Sequence, residues 1–466
     1  KLWHNILWTQ RDNLISVPTD CPQRGERMGW MGDNTAFGQT AMFNMDMAAF
    51  FTKWIQDIRD AQTEKGTYPD FVPYPDHWTY RLFKFYCSPA WADCGIVLPW
   101  LMYCNYNDKR ILRDHYESAQ KFIDYVHTNN PDLLWTEGIG NKFGDWLNGD
   151  TMKLENYPEE GAEIPHEVFS TIFFAHSAEI LSKMACILEK DADALKYKKL
   201  SEAIRKAFQT AFIDTEGKIK GDTQAGYALS LFYEMIPHDR RADALTHLRA
   251  ALKKYEDRIS TGFLSTLPMM MELVKGGYAA LAYQLLMSSR VPSWFFMIEQ
   301  GATTMWERWD GYVKGRGVHS NRMNSFNHFA IGSIGEWIYR VILGINGDEN
   351  HPGYKHILLK PVPGKGLEWT KGTYKSVRGL IYTEWEIKGN TFHYRLAIPP
   401  NTSATVFLPA ENVHETFIGT SPVEKSDIVE LVEFADEKLE IKIPSGSYEF
   451  TSKLPATLRG GFSREH

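Results

Sequence analysis

Hydrophobic residues recur at intervals of three and four along most of the chain, from about residue 33 to residue 344. The stretches TAFGQTAMFNMDMAAFFTKWIQDIRDAQ and EVFSTIFFAHSAEILSKMACIL both have this spacing, which is typical of helices with an apolar face. Gly, Pro, Asp or Asn bounds each of these segments, as expected where helices begin and stop. The pattern predicts roughly ten to twelve helices in this part of the chain.

After about residue 351 the pattern changes to alternating apolar and polar residues. HILLKPVPG and EKLEIKIPSGSYEFTSKL are examples. Gly, Pro and Asn-Thr interrupt these segments at intervals of about eight to twelve residues, which is typical of short antiparallel strands. The pattern predicts an all-β sandwich. This region shows no cluster of acids, His or Cys, so we expect its role to be structural.

The helical part has no clear fixed-period repeat, which argues against TPR or ankyrin arrays. Many paired helices joined by long loops favour a mainly α architecture, an (α/α) barrel with functional loops at one end. We therefore divide the chain into a lead-in segment (1–33), a helical barrel (34–348) and a C-terminal β-sandwich domain (349–466).

Composition and charge exclude several classes of protein. The net charge is −7 and no Lys/Arg-rich stripe is visible, so nucleic acid is not expected as a partner. No stretch approaches eighteen apolar residues, so no transmembrane helix is expected. The five cysteines are odd in number and scattered, and C-x-x-C and H-E-x-x-H are absent, which predicts neither a disulfide framework nor a metal site.

The start of the chain, KLWHNILWTQ, is interpreted as an interior stretch rather than a signal peptide, because it lacks a small-residue cleavage site. The compartment, cytoplasmic or periplasmic, and the oligomeric state stay open. Aromatic residues make up 14% of the chain, which suits either a large core or a carbohydrate cleft. Composition alone favours the core.

The segment DCPQRGERMGWMGD, residues 20–33, concentrates charge just before the first strong helix. It holds the carboxylates of Asp20, Glu26 and Asp33 together with Arg24 and Trp30. A salt-bridged, glycine-bent connector is one interpretation. The alternative is a site, because clustered carboxylates shift one another's pKa and one acid can stay protonated beside an ionised neighbour. A glycosidase general acid needs that property.

Tryptophan also stands beside acids in EQGATTMWERWDG, PAWADCG and FGDWLNGD, and a histidine opens the predicted helix NSFNHFAIGSIGEWIYR. The residues concerned are Trp91, Asp93, Asp145, Trp146, Trp306, Glu307 and His328. A buried acid needs partners, so these pairs are unexpected in a core. In a sugar cleft, Trp covers a ring face while a carboxylate accepts hydrogen bonds from hydroxyls. The plainer interpretations are that His328 caps its helix and that Cys21 and Cys94 are packing residues.

Together these motifs resemble the α-L-rhamnosidases of glycoside hydrolase family 78. The resemblance rests on PTDCPQRGERMGWMGD, AWADCGIVLPW, GDWLN, GATTMWERWDG and SFNHFAIGSIGEWIYR, which follow the family's order over about residues 5 to 345. It implies an (α/α)6 barrel and the hydrolysis of terminal α-L-rhamnosyl groups with inversion. It implies no cofactor and no metal, with a rhamnose-containing glycoside as partner.

The resemblance also assigns roles, with Glu26 as general acid and Glu307 as general base. It places Asp20, Arg24, Trp30, Asp33 and His328 around the rhamnose, and Trp91 and Trp146 as aromatic walls. The tryptophan–acid pairs add Asp93, Asp145 and Trp306 as candidate sugar-binding residues. Gly25 stands where the family often has Asp, which removes one carboxylate. The β-domains that usually precede the barrel in the family are absent from this sequence.

Inverting glycosidases separate their two carboxyl groups by about 6.5–9.5 Å, which leaves room for a water molecule. In a closed toroid the first and last hairpins are neighbours, so the loops of Glu26 and Glu307 are predicted to face each other. Two alternatives remain, namely a hydrolase for another terminal sugar on the same barrel and a non-catalytic sugar-binding relative. The presence of both glutamates favours an enzyme.

Overall fold

A computed structural model describes residues 1–75, 85–320 and 322–458. A helical part comes first and a β-sheet part follows, as the change of pattern predicts. The helices of the described residues are α1 (Leu2–Asn13), α2 (Met31–Asn44), α3 (Ala48–Asp60), α4 (Cys94–Tyr106), α5 (Lys109–Asn129), α6 (His166–Ile187), α7 (Asp191–Phe212), α8 (Gln224–Phe232), α9 (Arg241–Lys254), α10 (Phe263–Lys275), α11 (Ala279–Met287), α12 (Trp294–Glu299) and α13 (Ile334–Trp337), which continues as a π-helical turn over Ile338–Ile342.

The helices are of two kinds, and their burial shows where each lies. Helix α4 is buried on almost every side, whereas α5 buries one face through residues such as Leu112, Phe122 and Val126. A helix that is apolar all round belongs in the interior, and one with a single apolar stripe lies outside it. Asp108 caps the outer helix α5, since its side chain accepts a hydrogen bond from Arg110 N at 2.9 Å.

The inner helices contact one another in sequence order. These helices are α2, α4, α6, α8, α10 and α13. Helix α13 also contacts α2, so the helical part returns to its start and the loops near residues 30 and 330 become neighbours. The two segments that carry the candidate catalytic glutamates are thereby brought to one place.

Helix α1 lies inside the predicted lead-in segment and was not expected from the pattern. It fixes the loop that follows α12, because Asn5 Nδ2 donates to Ala302 O at 3.0 Å and Met305 N donates to Thr9 Oγ1 at 2.7 Å. The first residues therefore support the segment that leads to Glu307.

The C-terminal part is a sheet, as predicted. Its strands are β3 (Ile345–Gly347), β4 (His356–Leu359), β5 (Trp369–Ser376), β6 (Gly379–Lys388), β7 (Thr391–Pro409), β8 (Thr416–Ile418), β9 (Ser421–Pro422), β10 (Glu430–Ala435) and β11 (Lys438–Lys453), and a separate hairpin of β1 (Tyr312–Val313) and β2 (Gly317–Val318) lies in the helical part. The strands of the sheet are joined in the order β3-β4-β7-β11-β8-β9, with β6 also on β7, β5 on β6 and β10 on β11.

The sheet begins within a few residues of the helices and docks on them. Strand β3 precedes the predicted boundary at residue 348 and pairs with β4. Trp385 Nε1 donates to Ile342 O at 2.7 Å, and Tyr283 OH in the helical part donates to Val362 O at 2.7 Å. The described helices include none long and apolar enough to cross a membrane.

Candidate active site

The charged loop before α2 is closed by its own backbone. Asp20 N donates to Met28 O at 2.9 Å, and Met28 N donates to Asp20 Oδ1 at 2.9 Å. Gly29 then runs beside Val72, whose N–H donates to Gly29 O at 2.9 Å, and a Cβ at residue 29 would lie 2.1 Å from Val72 O. The loop therefore needs glycine at residue 29 to bring its acids against the helical ring.

Glu26 is held by two side chains of its own loop. Arg24 Nε donates to Glu26 Oε2 at 2.9 Å, and Trp30 Nε1 donates to Glu26 Oε1 at 3.0 Å. The Glu26 side chain keeps 25% of its surface exposed, so it can still meet a ligand.

Glu307 is held by a segment on the other side. Its N–H donates to Ser325 O at 2.8 Å, and Ser325 N donates to Glu307 Oε2 at 2.7 Å. Arg24 Nη1 lies 3.5 Å from the same carboxylate oxygen. A single guanidinium group, that of Arg24, therefore contacts both Glu26 and Glu307.

A second contact joins the two loops. Gln23 Nε2 donates to Ser325 Oγ at 2.6 Å. Arg24 also donates to Arg322 O at 3.1 Å. The loop of Glu26 and the segment that supports Glu307 are thus tied together by neighbouring side chains.

Asp33 and His328 form a buried ion pair in the wall of the cavity that these acids share. Asp33 Oδ1 lies 3.0 Å from His328 Nε2, and both side chains are almost wholly buried. Burial alone would lower the pKa of His328, but the charges of Asp33, Glu307 and Asp20 outweigh it and raise the pKa to about 9. The imidazole is therefore positively charged at neutral pH and offsets part of the surrounding negative charge.

Asp20 and Glu26 shift each other's pKa. Burial, followed by the charge of Glu26, raises the pKa of Asp20 to about 7. Burial would also raise the pKa of Glu26, but hydrogen bonds from Asp20 and Arg24 outweigh it and the pKa is lowered. The two pKa values are thus driven apart, and in the unliganded protein a proton favours Asp20 over Glu26.

These acids open into a cavity of about 210 Å³ with aromatic walls. Phe143 packs on Trp91 and Trp30, with ring centroids 4.6 and 5.8 Å apart. The residues that line the cavity are Asp20, Glu26, Trp30, Asp33, Phe85, Trp91, Phe143, Trp146, Phe263, Glu307, Met323 and His328.

Eight of the residues predicted from the sequence are among those lining residues, and Arg24 contacts two of them. The other three lie elsewhere. Asp93 Oδ2 accepts a hydrogen bond from Ala90 N at 2.7 Å, and its Oδ1 accepts one from Ser177 Oγ at 2.5 Å. Trp306 is 5% exposed and packs edge-on against Phe326.

Asp145 serves the start of helix α10. Its carboxylate accepts hydrogen bonds from Gly262 N at 2.6 Å, Leu264 N at 3.1 Å and Ser265 N at 3.2 Å, and from the Ser265 hydroxyl. Both carboxylate oxygens are used, since a helix N-terminus presents unpaired N–H groups. The carboxylates of Asp93 and Asp145 therefore hydrogen-bond to other parts of the chain and do not line the cavity.

Sequence reasoning did not single out four of the cavity's walls, namely Phe85, Phe143, Phe263 and Met323. Phe143 had a signal, because it lies three residues before Trp146 in a motif that was considered. Phe85, Phe263 and Met323 have no acidic neighbour in the sequence, so their pattern is that of ordinary core residues.

Three groups able to bind a metal also meet here. One ligand atom each from Asp20, Cys21 and His328 lies within 4.8 Å of the others, and all three residues are buried. The spacing motifs for zinc could not reveal this set, because His328 comes from a distant part of the chain.

The ring of inner helices with its acidic, aromatic cavity is the architecture of the six-hairpin glycosidase domains, and comparisons give the family. The profile of the bacterial alpha-L-rhamnosidase 6 hairpin glycosidase domain matches residues 1–342, and that of the bacterial alpha-L-rhamnosidase C-terminal domain matches residues 344–418. The chain belongs to the bacterial α-L-rhamnosidase family, which confirms the resemblance found in the motifs.

Individual relatives agree. An alpha-L-rhamnosidase from Streptomyces avermitilis is 38% identical over 90% of this chain and 39% of its own length, and one from Formosa agariphila is 35% identical over 97% and 47%. The crystal structure of the S. avermitilis alpha-L-rhamnosidase complexed with L-rhamnose superposes with a TM-score of 0.87 at 36% identity, over 97% of this chain and 41% of that one. The chain thus spans less than half the length of these relatives.

Proposed function

We propose that this chain hydrolyses terminal non-reducing α-L-rhamnosyl groups with inversion. The observation that carries the proposal is the contact of Glu26 and Glu307 with one guanidinium group at the wall of one cavity. Inverting glycosidases hold their two carboxyl groups about 6.5–9.5 Å apart, and the proposal places Glu26 and Glu307 in that arrangement. The (α/α)6 count of hairpins and the sandwich arrangement of the C-terminal sheet belong to the same proposal.

Glu26 is the proposed acid and Glu307 the proposed base. The Ser325 N–H and the Arg24 guanidinium hold the carboxylate of Glu307 in place, and Glu307 accepts a proton from the attacking water. Glu26 gives its proton to the glycosidic oxygen as the bond from that oxygen to the anomeric carbon breaks. The product leaves with the opposite anomeric configuration.

Asp20 supplies the proton that Glu26 needs. In the unliganded protein the shared proton favours Asp20, because Arg24 stabilises ionised Glu26. A sugar hydroxyl that donates a hydrogen bond to Asp20 stabilises its ionised form and moves the proton to Glu26. Substrate binding thus prepares the acid.

The cavity suits a neutral deoxy-sugar. Its volume of about 210 Å³ is below the ~300 Å³ at which drug-sized pockets begin, which favours a single sugar residue. Phe143, Trp91 and Phe263 offer an apolar wall for the 6-methyl group. Among the described residues, those lining the cavity include no Lys or Arg to pair with a uronate.

Two arginines near the cavity, Arg24 and Arg308, have other partners. The Arg24 guanidinium is engaged by both glutamates, and Arg308 donates to Met323 O at 2.6 Å and Thr151 O at 3.2 Å. These contacts favour rhamnose over an acidic sugar on the same scaffold.

The test is hydrolysis of para-nitrophenyl α-L-rhamnopyranoside with the product anomer followed by proton NMR. Wild type should release β-L-rhamnose first, and Glu26→Gln and Glu307→Gln should each lower kcat by about 10²–10⁴-fold. Glu336→Gln is the matched control, because Glu336 is a buried glutamate that does not line this cavity. Its carboxylate pairs with Arg340 at 2.9 Å. First release of α-L-rhamnose, or full activity in either variant, would refute the assignment.

A further inference from the structure

Three buried side chains of different chemistry meet at the base of the charged loop. They are the carboxylate of Asp20, the thiol of Cys21 and the imidazole of His328, with one ligand atom of each within 4.8 Å of the others. Asp20 and His328 line the cavity, and Cys21 is fully buried beside them. The proposed hydrolysis gives Cys21 no role.

We propose that Asp20, Cys21 and His328 bind one Zn²⁺ ion, and that the bound ion inhibits the site. Zinc prefers four ligands drawn from Cys, His and carboxylates, at about 2.3 Å from sulfur and about 2.0–2.2 Å from nitrogen and oxygen. Such bonds place ligand atoms about 3–4 Å from one another. Shifts of about 1 Å in the side chains would therefore close the set, with the open cavity offering the fourth position to water.

The charge around these ligands favours a divalent cation. Four acidic residues, Asp20, Glu26, Asp33 and Glu307, outnumber the two basic ones, Arg24 and His328, around the set. Sulfur and nitrogen ligands select zinc and cobalt over magnesium and calcium, which prefer oxygen.

Binding exchanges the protons of the three ligands for the metal. Burial and the nearby charges of Asp20 and Glu307 raise the pKa of Cys21, so the sulfur is a thiol when no metal is present. The S–H bond of Cys21 breaks as the Zn–S bond forms, the imidazolium of His328 gives up one ring proton, and a protonated Asp20 gives up its carboxyl proton. These protons pass to solvent, with no change of oxidation state.

The ion would inhibit through the groups that the reaction uses. Asp20 and His328 line the cavity, so an ion bound to them, with water at its fourth position, would occupy the place of the sugar. This inhibitory effect rests on the proposed hydrolysis, whereas binding itself does not.

Binding is tested with Co²⁺ as an optical probe in protein that carries Cys186→Ser, which removes the exposed cysteine. One equivalent of Co²⁺ should give a thiolate-to-metal charge-transfer band, and Zn²⁺ should displace it. Cys21→Ser in this background should abolish the band and raise the Kd for Zn²⁺ at least tenfold. Cys94→Ser is the matched control, since Cys94 is equally buried but lies outside the set.

Several results would overturn the proposal. Absence of the band in the Cys186→Ser protein would do so directly, as would a band that survives Cys21→Ser or is lost in Cys94→Ser. If Cys21→Ser does not fold, His328→Gln probes the same set and should also raise the Kd at least tenfold. Zn²⁺ that binds as described but leaves hydrolysis unchanged would remove only the inhibitory part.

Discussion

Two groups of buried aspartates come from the motifs of this sequence, and the structure uses them differently. Asp20 and Asp33 line the cavity among charged side chains, with His328 at 3.0 Å from Asp33. Asp93 and Asp145 accept hydrogen bonds from backbone N–H groups and from serine hydroxyls, and Asp145 does so at the start of α10. A place in such a motif therefore does not distinguish an acid that lines the cavity from one whose oxygens are used within the protein interior.

The largest expected effect is a loss of activity when an aspartate of the cavity is replaced. Asp20→Asn should lower kcat by about 10²–10⁴-fold, because asparagine cannot hold the proton that Asp20 shares with Glu26. Stability should change little, since the asparagine oxygen can still accept from Met28 N, which donates to Asp20 Oδ1 at 2.9 Å. Kinetics and thermal unfolding on the same preparation check both parts. Unchanged kcat would place Asp20 with the structural group.

The same substitution at Asp145 should lower stability and leave the activity nearly unchanged. Asp145→Asn places an amide NH₂ against donors that both carboxylate oxygens now satisfy, including Gly262 N and Leu264 N. The free energy of unfolding should fall by about 2–3 kcal/mol. The rate per folded molecule should stay within a few fold of wild type. Denaturant unfolding measures the first effect, and a loss of kcat without a loss of stability would contradict the comparison.

The contrast also shows which features of the fold and of the site could be predicted from the sequence. The change from helical to alternating periodicity predicts a helical part followed by a sheet, and the motifs predict the family, because both signals are local. The ring closure that joins residues near 26 and 307 was inferred from the implied toroid. The hydrogen-bond partners of Asp93 and Asp145 lie far along the chain. Ser177 and Ser265 supply donors that no local sequence pattern predicts.

Helix α1 and the walls of the cavity show the same limit. Trp and Asn interrupt the apolar spacing at the start of the chain, so the helix over Leu2–Asn13 was missed. Phe85 and Phe263 line the cavity only because the ring brings their segments together. The pKa shifts of Asp20 and Glu26 depend on burial, which one sequence does not report.

A smaller effect is expected at the contact between the two loops. Gln23→Ala removes the hydrogen bond to Ser325 Oγ and loosens the segment whose N–H holds Glu307. A loss of about 1 kcal/mol in positioning corresponds to a roughly fivefold lower kcat. KM should stay near its wild-type value, because Gln23 does not line the cavity.

Gln209→Ala is the matched control for that contact, since Gln209 Nε2 donates to Met235 O at 3.0 Å between helical segments outside the cavity. It should leave kcat unchanged. Equal effects of the two substitutions on kcat would show that the Gln23 contact has no special part in holding Glu307.

The smallest effect is expected at Gly25, where the family often has an acid. A Cβ at residue 25 meets no atom within 4 Å, so Gly25→Asp fits without strain. A new carboxylate beside Glu26 disfavours loss of the proton that Glu26 shares with Asp20. The alkaline limb of the kcat/KM profile should therefore move to higher pH, by about half a unit for an exposed charge at about 6 Å.

Gly25→Asn carries the same shape without the charge and should not move the limb. The shift should also shrink as salt is raised, because exposed charges are screened. An equal shift in both variants would assign the effect to the shape of the side chain and not to its charge.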